Sequence, residues 1–145
     1  WVYSMRQGGF VTKVLQWART QEVMRVVDDQ ISGPTSARLL AELSALVLAK
    51  TDRNGYDWLK ENSGIYHAAG DGACSRYSWA EKILELDPQK EEQVVKKLDR
   101  ASSSEFSVPA QRPMVSILKN DKITDTFGLR LPSWQTGLSL TMQNA

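Results

Sequence analysis

Tyr56 and Lys60 have the spacing of a proton-donating pair. Residues four apart share one face of a helix, where a lysine can lower the pKa of a tyrosine that protonates a carbonyl oxygen. Here the pair follows Asn54-Gly55 in the polar stretch 51–63, with no long amphipathic helix around it. We therefore interpret the spacing as coincidental and predict no catalytic residue in this chain.

The segment from Gly70 to Ser75 has part of the pattern of a dinucleotide-binding turn. Gly70 and Gly72 match the first two glycines of G-x-G-x-x-G, but Ser75 stands where the third should allow close helix packing. No acidic residue follows at the distance expected for a ribose contact. The sequence favours a structural glycine-rich turn and predicts no cofactor-binding residue.

The chain offers few metal ligands or nucleophiles. His67 is the only histidine and Cys74 the only cysteine, which excludes a zinc site of usual composition. We interpret His67 as a packed or hydrogen-bonded strand residue and Cys74 as small and partly buried. Asp28-Asp29 alone does not indicate magnesium, so no metal ligand is predicted.

Arg112 is the strongest candidate for an anion contact. It lies in a loop between Pro109 and Pro113, which reduce the entropy lost in positioning a side chain. A guanidinium held in this way suits a phosphate group. An ordinary exposed loop arginine explains the pattern equally well.

Composition limits the function further. The 145 residues fit one domain, and 18 Lys and Arg against 17 Asp and Glu give a net charge of +1, which excludes general electrostatic binding of nucleic acid. The longest apolar stretch, residues 39–49, is too short to span a membrane. A single cysteine favours a reducing, cytoplasmic location. Because the chain begins at Trp1, we expect a fragment of a longer protein.

The hydrophobic pattern predicts an α/β fold of alternating strands and helices. Strands are predicted over residues 1–3, 24–27, 64–69 and 93–100, with a helix as the alternative for 93–100. Loops are predicted over 32–35, over 51–63 with or without one turn around Trp58, and over 102–113. Helices are predicted over residues 9–20, from Thr35 or Ser36 to about 50, and from Ser75 to about 87. Two more begin at Asn120 and Ser133.

Seven sequence blocks in a set order carry a family resemblance. They are Trp1-Val2-Tyr3, Gly9-Phe10-Val11, Val26-Val27-Asp28-Asp29-Gln30, Gly33-Pro34-Thr35, Gly64-Ile65-Tyr66-His67-Ala68-Ala69-Gly70, Pro109-Ala110-Gln111-Arg112-Pro113 and Leu131-Pro132-Ser133-Trp134. In this order the chain resembles the C-terminal half of the dTDP-4-dehydrorhamnose reductases, which are extended short-chain dehydrogenases/reductases. The resemblance implies that residues 1–145 are the C-terminal part of a Rossmann-type reductase, mainly its small substrate-binding domain, without the N-terminal cofactor-binding region.

The resemblance also implies a function and a set of site residues. The full-length enzyme would reduce dTDP-4-dehydro-L-rhamnose to dTDP-L-rhamnose with NADPH or NADH, in nucleotide-sugar and cell-surface polysaccharide biosynthesis, and this chain alone would be inactive. The substrate-binding residues implied by the matching blocks are Trp1 for the sugar, Gly9, Phe10 and Arg112 for the diphosphate, and Gln30, Gly33 and Pro34 for the nucleotide side. A homodimer of the full-length protein is compatible with the resemblance.

The chain departs from the family pattern at several positions. Arg38 and Asn144 stand where glutamates bind a bridging magnesium at the family's dimer interface, so we do not expect that metal. Gly9 replaces an asparagine, and residues 52–62 resemble an insertion. Two alternatives stay open: a non-catalytic regulatory protein on the same fold, similar to the regulatory subunit of methionine adenosyltransferase, and a reductase of another nucleotide sugar.

Overall fold

Helices and short strands alternate along the chain, as the hydrophobic pattern predicts. The computed structural model describes residues 1–6, 8–51, 55–106 and 109–143. Within these ranges the helices are α1 (Phe10–Ala18), α2 (Ala37–Ala49), α3 (Gly55–Glu61), α4 (Arg76–Glu85), α5 (Asp121–Phe127) and α6 (Trp134–Met142). The strands are β1 (Val2–Tyr3), β2 (Val23–Val27), β3 (Ile31–Ser32), β4 (Thr35–Ser36), β5 (Cys74–Ser75), β6 (Lys97–Ala101) and β7 (Val115–Ser116). No helix in the described ranges is long and apolar enough to cross a membrane.

The strands form three small sheets. The longest pairing is parallel, between β2 and β6, and β1 pairs with β4 in parallel. The central strand of the third sheet is β3, which is antiparallel to β5 and parallel to β7. Because a parallel pair needs a crossover, α4 lies between β2 and β6 in sequence and packs against β2 and α1.

Two hydrophobic clusters form the interior. The larger one takes its buried residues from β1, α1, β2, β5, α4 and α6, with Trp79 among the most deeply buried. In α1, Val11, Val14 and Ala18 recur at helical spacing and are fully buried on one face. The smaller cluster joins α2, α5 and the segment after α5.

Two of the four predicted caps form as expected and two do not: at the start of α2, Ser36 is the N-cap residue but its side chain forms no capping hydrogen bond. Ser75 Oγ accepts a hydrogen bond from Ser78 N at 3.1 Å, and Ser133 Oγ accepts one from Thr136 N at 3.2 Å. Asn120 precedes α5, but its side chain pairs instead with the backbone of Ala69, at 3.0 and 2.7 Å. This pairing ties α5 to the segment that precedes β5.

Three predicted segments differ from the structure. The strand predicted over residues 64–69, which includes His67, is wrong: this segment is irregular because side chains of α5 satisfy its backbone, as when Lys122 Nζ donates to Ile65 O at 2.9 Å. Residues 52–54 of the loop predicted over 51–63 lie outside the described residues, and the turn predicted around Trp58 is part of the longer helix α3, which buries none of its residues completely. The loop predicted over 32–35 is shorter in the structure: β3 ends at Ser32 and β4 begins at Thr35, so only Gly33 and Pro34 form the turn between them.

The tight packing around Gly70 generates a stability prediction. A Cβ at Gly70 would lie well inside van der Waals contact with Pro34 O and within 3.3 Å of Trp134. Gly70→Ala is therefore expected to lower the free energy of unfolding by about 1–3 kcal/mol, measured by urea denaturation. The control is Gly9→Ser, whose Cβ meets only ordinary contacts and can cap α1; equal destabilisation of both variants would contradict the packing argument.

A buried carboxylate joins the end of α4 to the end of α1. The side chain of Asp87 is 0% exposed and accepts hydrogen bonds from Gln93 Nε2 at 2.9 Å, Gln89 N at 3.1 Å and Arg19 Nη2 at 3.1 Å. Burial alone opposes ionisation, but these three donors outweigh it and hold the pKa of Asp87 below its ordinary value of 3.8.

The lowered pKa of Asp87 gives a prediction of pH dependence. Because the pKa of Asp87 is lower in the folded than in the unfolded state, the ionised side chain stabilises the fold above pH 3.8. This stabilisation is lost as the pH falls through the folded-state pKa. At pH 7, Asp87→Asn should lower the free energy of unfolding by about 1–3 kcal/mol, and the difference should shrink by pH 3. Urea unfolding at both pH values tests this, with the exposed Asp57→Asn as control; a difference that is the same at both would refute it.

Candidate functional site: an aromatic cluster beside two arginines

An aromatic cluster lies where β1, α1 and α4 meet. Trp79 of α4 is 1% exposed, and its ring stacks on Trp1 with 5.6 Å between centroids and 9° between planes. The rings of Tyr3 and Phe10 pack against Trp79 at 5.4 and 4.7 Å. Two residues predicted for the site, Trp1 and Phe10, therefore lie on one buried indole and are themselves half-buried.

Arg76 covers this cluster and joins it to Gln30. Its guanidinium carbon lies 4.4 Å from the ring centroid of Trp1 and 5.2 Å from that of Phe10. Its Nε donates to Gln30 Oε1 at 3.3 Å. Burial, and next the nearby charge of Arg112, lower the pKa of Arg76. Sequence reasoning missed Arg76, although it follows the predicted cap Ser75 and precedes Trp79 by three residues, which puts both on one helix face.

Arg112 and Gln30 line the same cavity. This cavity has a volume of about 540 Å³, and Ser103, Phe106 and Met114 also line it. The side chain of Arg112 is exposed, and it pairs with no carboxylate in the described part of the chain. The structure thus brings Arg112 near Gln30 and Arg76, which connect it to Trp1 and Phe10.

The three remaining predicted site residues shape the backbone. Gly9 is the N-terminal cap residue of α1 and has no side chain to satisfy the first N–H groups of that helix. Gly33 and Pro34 are buried, and a Cβ at Gly33 would meet Gly70 O at 3.0 Å. Any contribution of Gly33 and Pro34 to binding is therefore made by setting the path of the turn after Gln30, not by side-chain contact.

Asp28 and Asp29 are occupied by structural contacts. Asp28 accepts hydrogen bonds from Ser75 Oγ and Arg100 Nη1, both at 2.5 Å, and the Ser75 bond is the largest influence that lowers its pKa. Asp29 accepts bonds from Ser103 N at 2.9 Å and from its hydroxyl at 3.0 Å. No group of three or more potential metal ligands occurs among the described residues.

The other candidates from the sequence lie elsewhere. Tyr56 is 81% exposed on the short helix α3 with Lys60, and neither residue lines the cavity of Gln30 and Arg112. His67 is exposed rather than packed. Cys74 is buried, and burial raises the pKa of its thiol to about 12, which leaves it protonated at neutral pH. Asn144 lies outside the described residues.

A larger cavity lies beside the glycine-rich turn. It has a volume of about 760 Å³ and is lined by residues 70–73 and by α5. None of the residues predicted for substrate binding lines it, and the turn itself packs on Pro34 and Trp134. Arg130, which has no ion pair among the described residues, also lines this larger cavity, but the aromatic cluster and Arg76 lie beside Gln30 and Arg112 and make that side the stronger candidate.

Comparison with known proteins places the chain in a family. All of residues 1–145 match the family model described as the RmlD substrate binding domain. The dTDP-4-dehydrorhamnose reductase of Burkholderia thailandensis is 31% identical over 147 residues, covering 99% of this chain and 49% of that protein. That of Sinorhizobium fredii is 35% identical over 135 residues, covering 93% of this chain and 44% of that protein.

The structural comparison agrees. The crystal structure of dTDP-4-dehydrorhamnose reductase from Bacillus anthracis in complex with NADP superposes with a TM-score of 0.80 at 25% identity, covering 100% of this chain and 46% of that one. The chain thus spans about half the length of its relatives, and its fold is that of the C-terminal part of a Rossmann-type extended short-chain reductase. On these grounds the chain belongs to the RmlD substrate-binding domain family.

Proposed function

We propose that the complete protein carrying this chain reduces dTDP-4-dehydro-L-rhamnose to dTDP-L-rhamnose with NADPH or NADH, and that this chain supplies the substrate-binding part. The observation that carries the proposal is that Arg112 and Gln30, at one cavity, lie beside the Trp1–Phe10 aromatic cluster. A dTDP-sugar needs a cation for its diphosphate and a flat apolar face for its pyranose. The names of the relatives agree with this substrate.

In this proposal each residue has one role. Trp1 contacts the sugar through the part of its half-buried ring that Trp79 and Arg76 leave exposed, and Arg112 binds the diphosphate through two parallel N–H donors. The free N–H groups at the start of α1, next to Gly9 and Phe10, favour the same anion. Gln30, held by the Gly33-Pro34 turn, faces the nucleotide.

The described residues do not fit a nicotinamide cofactor. Its reduced form supplies a hydride, but the turn that partly matches the dinucleotide-binding pattern, at Gly70 and Gly72, is packed against Pro34 and Trp134 at Gly70 and has Ser75 in place of the third glycine. We therefore assign cofactor binding and proton donation to other parts of the complete protein. The role of this chain is to bind and orient the sugar nucleotide, and by itself it should not catalyse. The cytoplasm is the compartment in which we propose that it acts.

The competing proposal of a non-catalytic regulatory protein is not favoured, because the relatives named above are reductases. Turnover of dTDP-4-dehydro-L-rhamnose by the complete protein, followed as NADPH or NADH oxidation, decides between the two. Absence of turnover with a bound dTDP-sugar would support the regulatory protein. Turnover of a different sugar nucleotide only would support the other reductase.

The role of Arg112 gives a kinetic prediction. Losing a guanidinium–phosphate contact of about 2 kcal/mol should raise the Michaelis constant of Arg112→Ala about 30-fold. The turnover number should change less, because the diphosphate is bound alike in the ground and transition states. Steady-state kinetics of the complete protein measure both constants. Arg38→Ala is the matched control, since Arg38 lines a different cavity; an unchanged constant in Arg112→Ala would return Arg112 to the exposed-loop interpretation.

We also propose that no magnesium bridges two copies of this protein at Arg38. Its guanidinium forms an ion pair with Glu42 at 2.8 Å, so this position presents a cation in place of a metal ligand. EDTA should leave activity and oligomeric state unchanged, as measured by steady-state assay and size-exclusion chromatography. Dissociation or inactivation that magnesium reverses would overturn this. A homodimer formed without metal stays compatible with the proposal.

A further inference from the structure

Arg76 carries a charge that the described residues do not neutralise. Arg19, Arg25, Arg38 and Arg100 each pair with a carboxylate, whereas Arg76, like the exposed Arg6, Arg112 and Arg130, pairs with none in the described part of the chain. Its Nη nitrogens form no hydrogen bond to any described residue, and only its Nε has a partner. Unlike exposed arginines, Arg76 is half-buried, so solvent screens its charge incompletely.

Arg100 is a useful comparison, because a carboxylate neutralises its charge. Its guanidinium carbon lies 4.3 Å from the ring centroid of Tyr77, much as Arg76 lies over Trp1. Arg100, however, also forms an ion pair with Asp28 at 2.5 Å. The comparison isolates what Arg76 lacks, which is an anion.

The positive charge of Arg112 adds to the unbalanced positive charge of Arg76. The charge of Arg112 acts on Arg76 and, together with burial, lowers its pKa, yet a guanidinium stays protonated in proteins. Both arginines therefore remain cationic and repel each other in the unliganded protein. A ligand with two adjacent negative charges would relieve both charges at once.

We infer that Arg76 is a second phosphate-binding residue, which clamps the diphosphate of the sugar nucleotide from the aromatic side while Arg112 binds it from the loop side. Stacking on Trp1 and Phe10 holds the plane of the guanidinium, and Gln30 Oε1 holds its Nε. The two Nη groups are left to bind phosphate oxygens bidentately. This inference rests on the proposed function, because it assumes the same ligand and the same side of the molecule.

Calorimetric titration of the complete protein with dTDP, dTMP and thymidine tests the clamp. Arg76→Met keeps the apolar contact with Trp1 and removes the charge, and it should weaken dTDP binding about 10- to 30-fold. Binding of dTMP should weaken less, and thymidine binding should not change. Arg76→Lys should recover only part of the dTDP affinity, because lysine lacks the planar fork. Arg38→Met is the control for removal of a surface arginine and should bind dTDP normally.

The outcomes separate this inference from the proposed function. If the unmodified protein binds dTDP no more tightly than thymidine, the proposed function fails and the clamp fails with it. If Arg112→Ala weakens dTDP binding and Arg76→Met does not, only the clamp is overturned. Equal loss of all three ligands in Arg76→Met would assign Arg76 a packing role and also overturn the clamp. Should Arg76→Met not fold, as judged by circular dichroism, Arg76→Lys decides: undiminished dTDP affinity overturns the clamp.

Discussion

The indole of Trp79 is the point on which the site depends. It is 1% exposed and contacts the rings of Trp1, Tyr3 and Phe10, which come from two other elements. Its Nε1 has no hydrogen-bond partner among the described residues, so packing alone holds it there. Because Arg76 lies three residues before Trp79 on the same helix, burying the indole also sets where the guanidinium lies. The packing of the interior therefore positions the candidate site, and a substitution that loosens the packing around Trp79 also displaces Arg76.

The residues that follow β2 position Gln30, on the side of the site opposite Trp79. Asp28 binds Ser75 and Arg100, and Asp29 binds Ser103, so two neighbouring carboxylates connect β2 to α4, β6 and the turn after β6. Gln30 follows them directly. Asp28 is paired with Arg100 and Ser75, and Asp29 accepts its bonds through Oδ2 while its Oδ1 is buried without a partner among the described residues, so neither carboxylate forms an ion pair with Arg76.

How far the sequence predicts this molecule depends on whether a signal is local. Ser75 and Ser133 cap their helices as predicted, because capping needs only the backbone three residues on. The segment 64–69 alternates like a strand, yet the side chains of Asn120 and Lys122, 51 and 57 residues away in sequence from their partners, take its backbone hydrogen bonds, which no local pattern indicates. Arg76 was missed for the same reason, since its environment is set by β1, α1 and the 109–113 loop. The roles assigned to the site residues remain predictions.

Cys74 provides a means of watching this structure open. It lies next to Ser75 at the start of α4, and burial keeps its pKa near 12, so the folded protein presents almost no thiolate to an alkylating reagent at neutral pH. Labelling then requires local unfolding of the junction between β5 and α4, which exposes the Cys74 thiol to solvent. Since this chain has no other cysteine, the rate at which a reagent modifies Cys74 reports local unfolding next to the site. A ligand that binds the folded site would lower this rate.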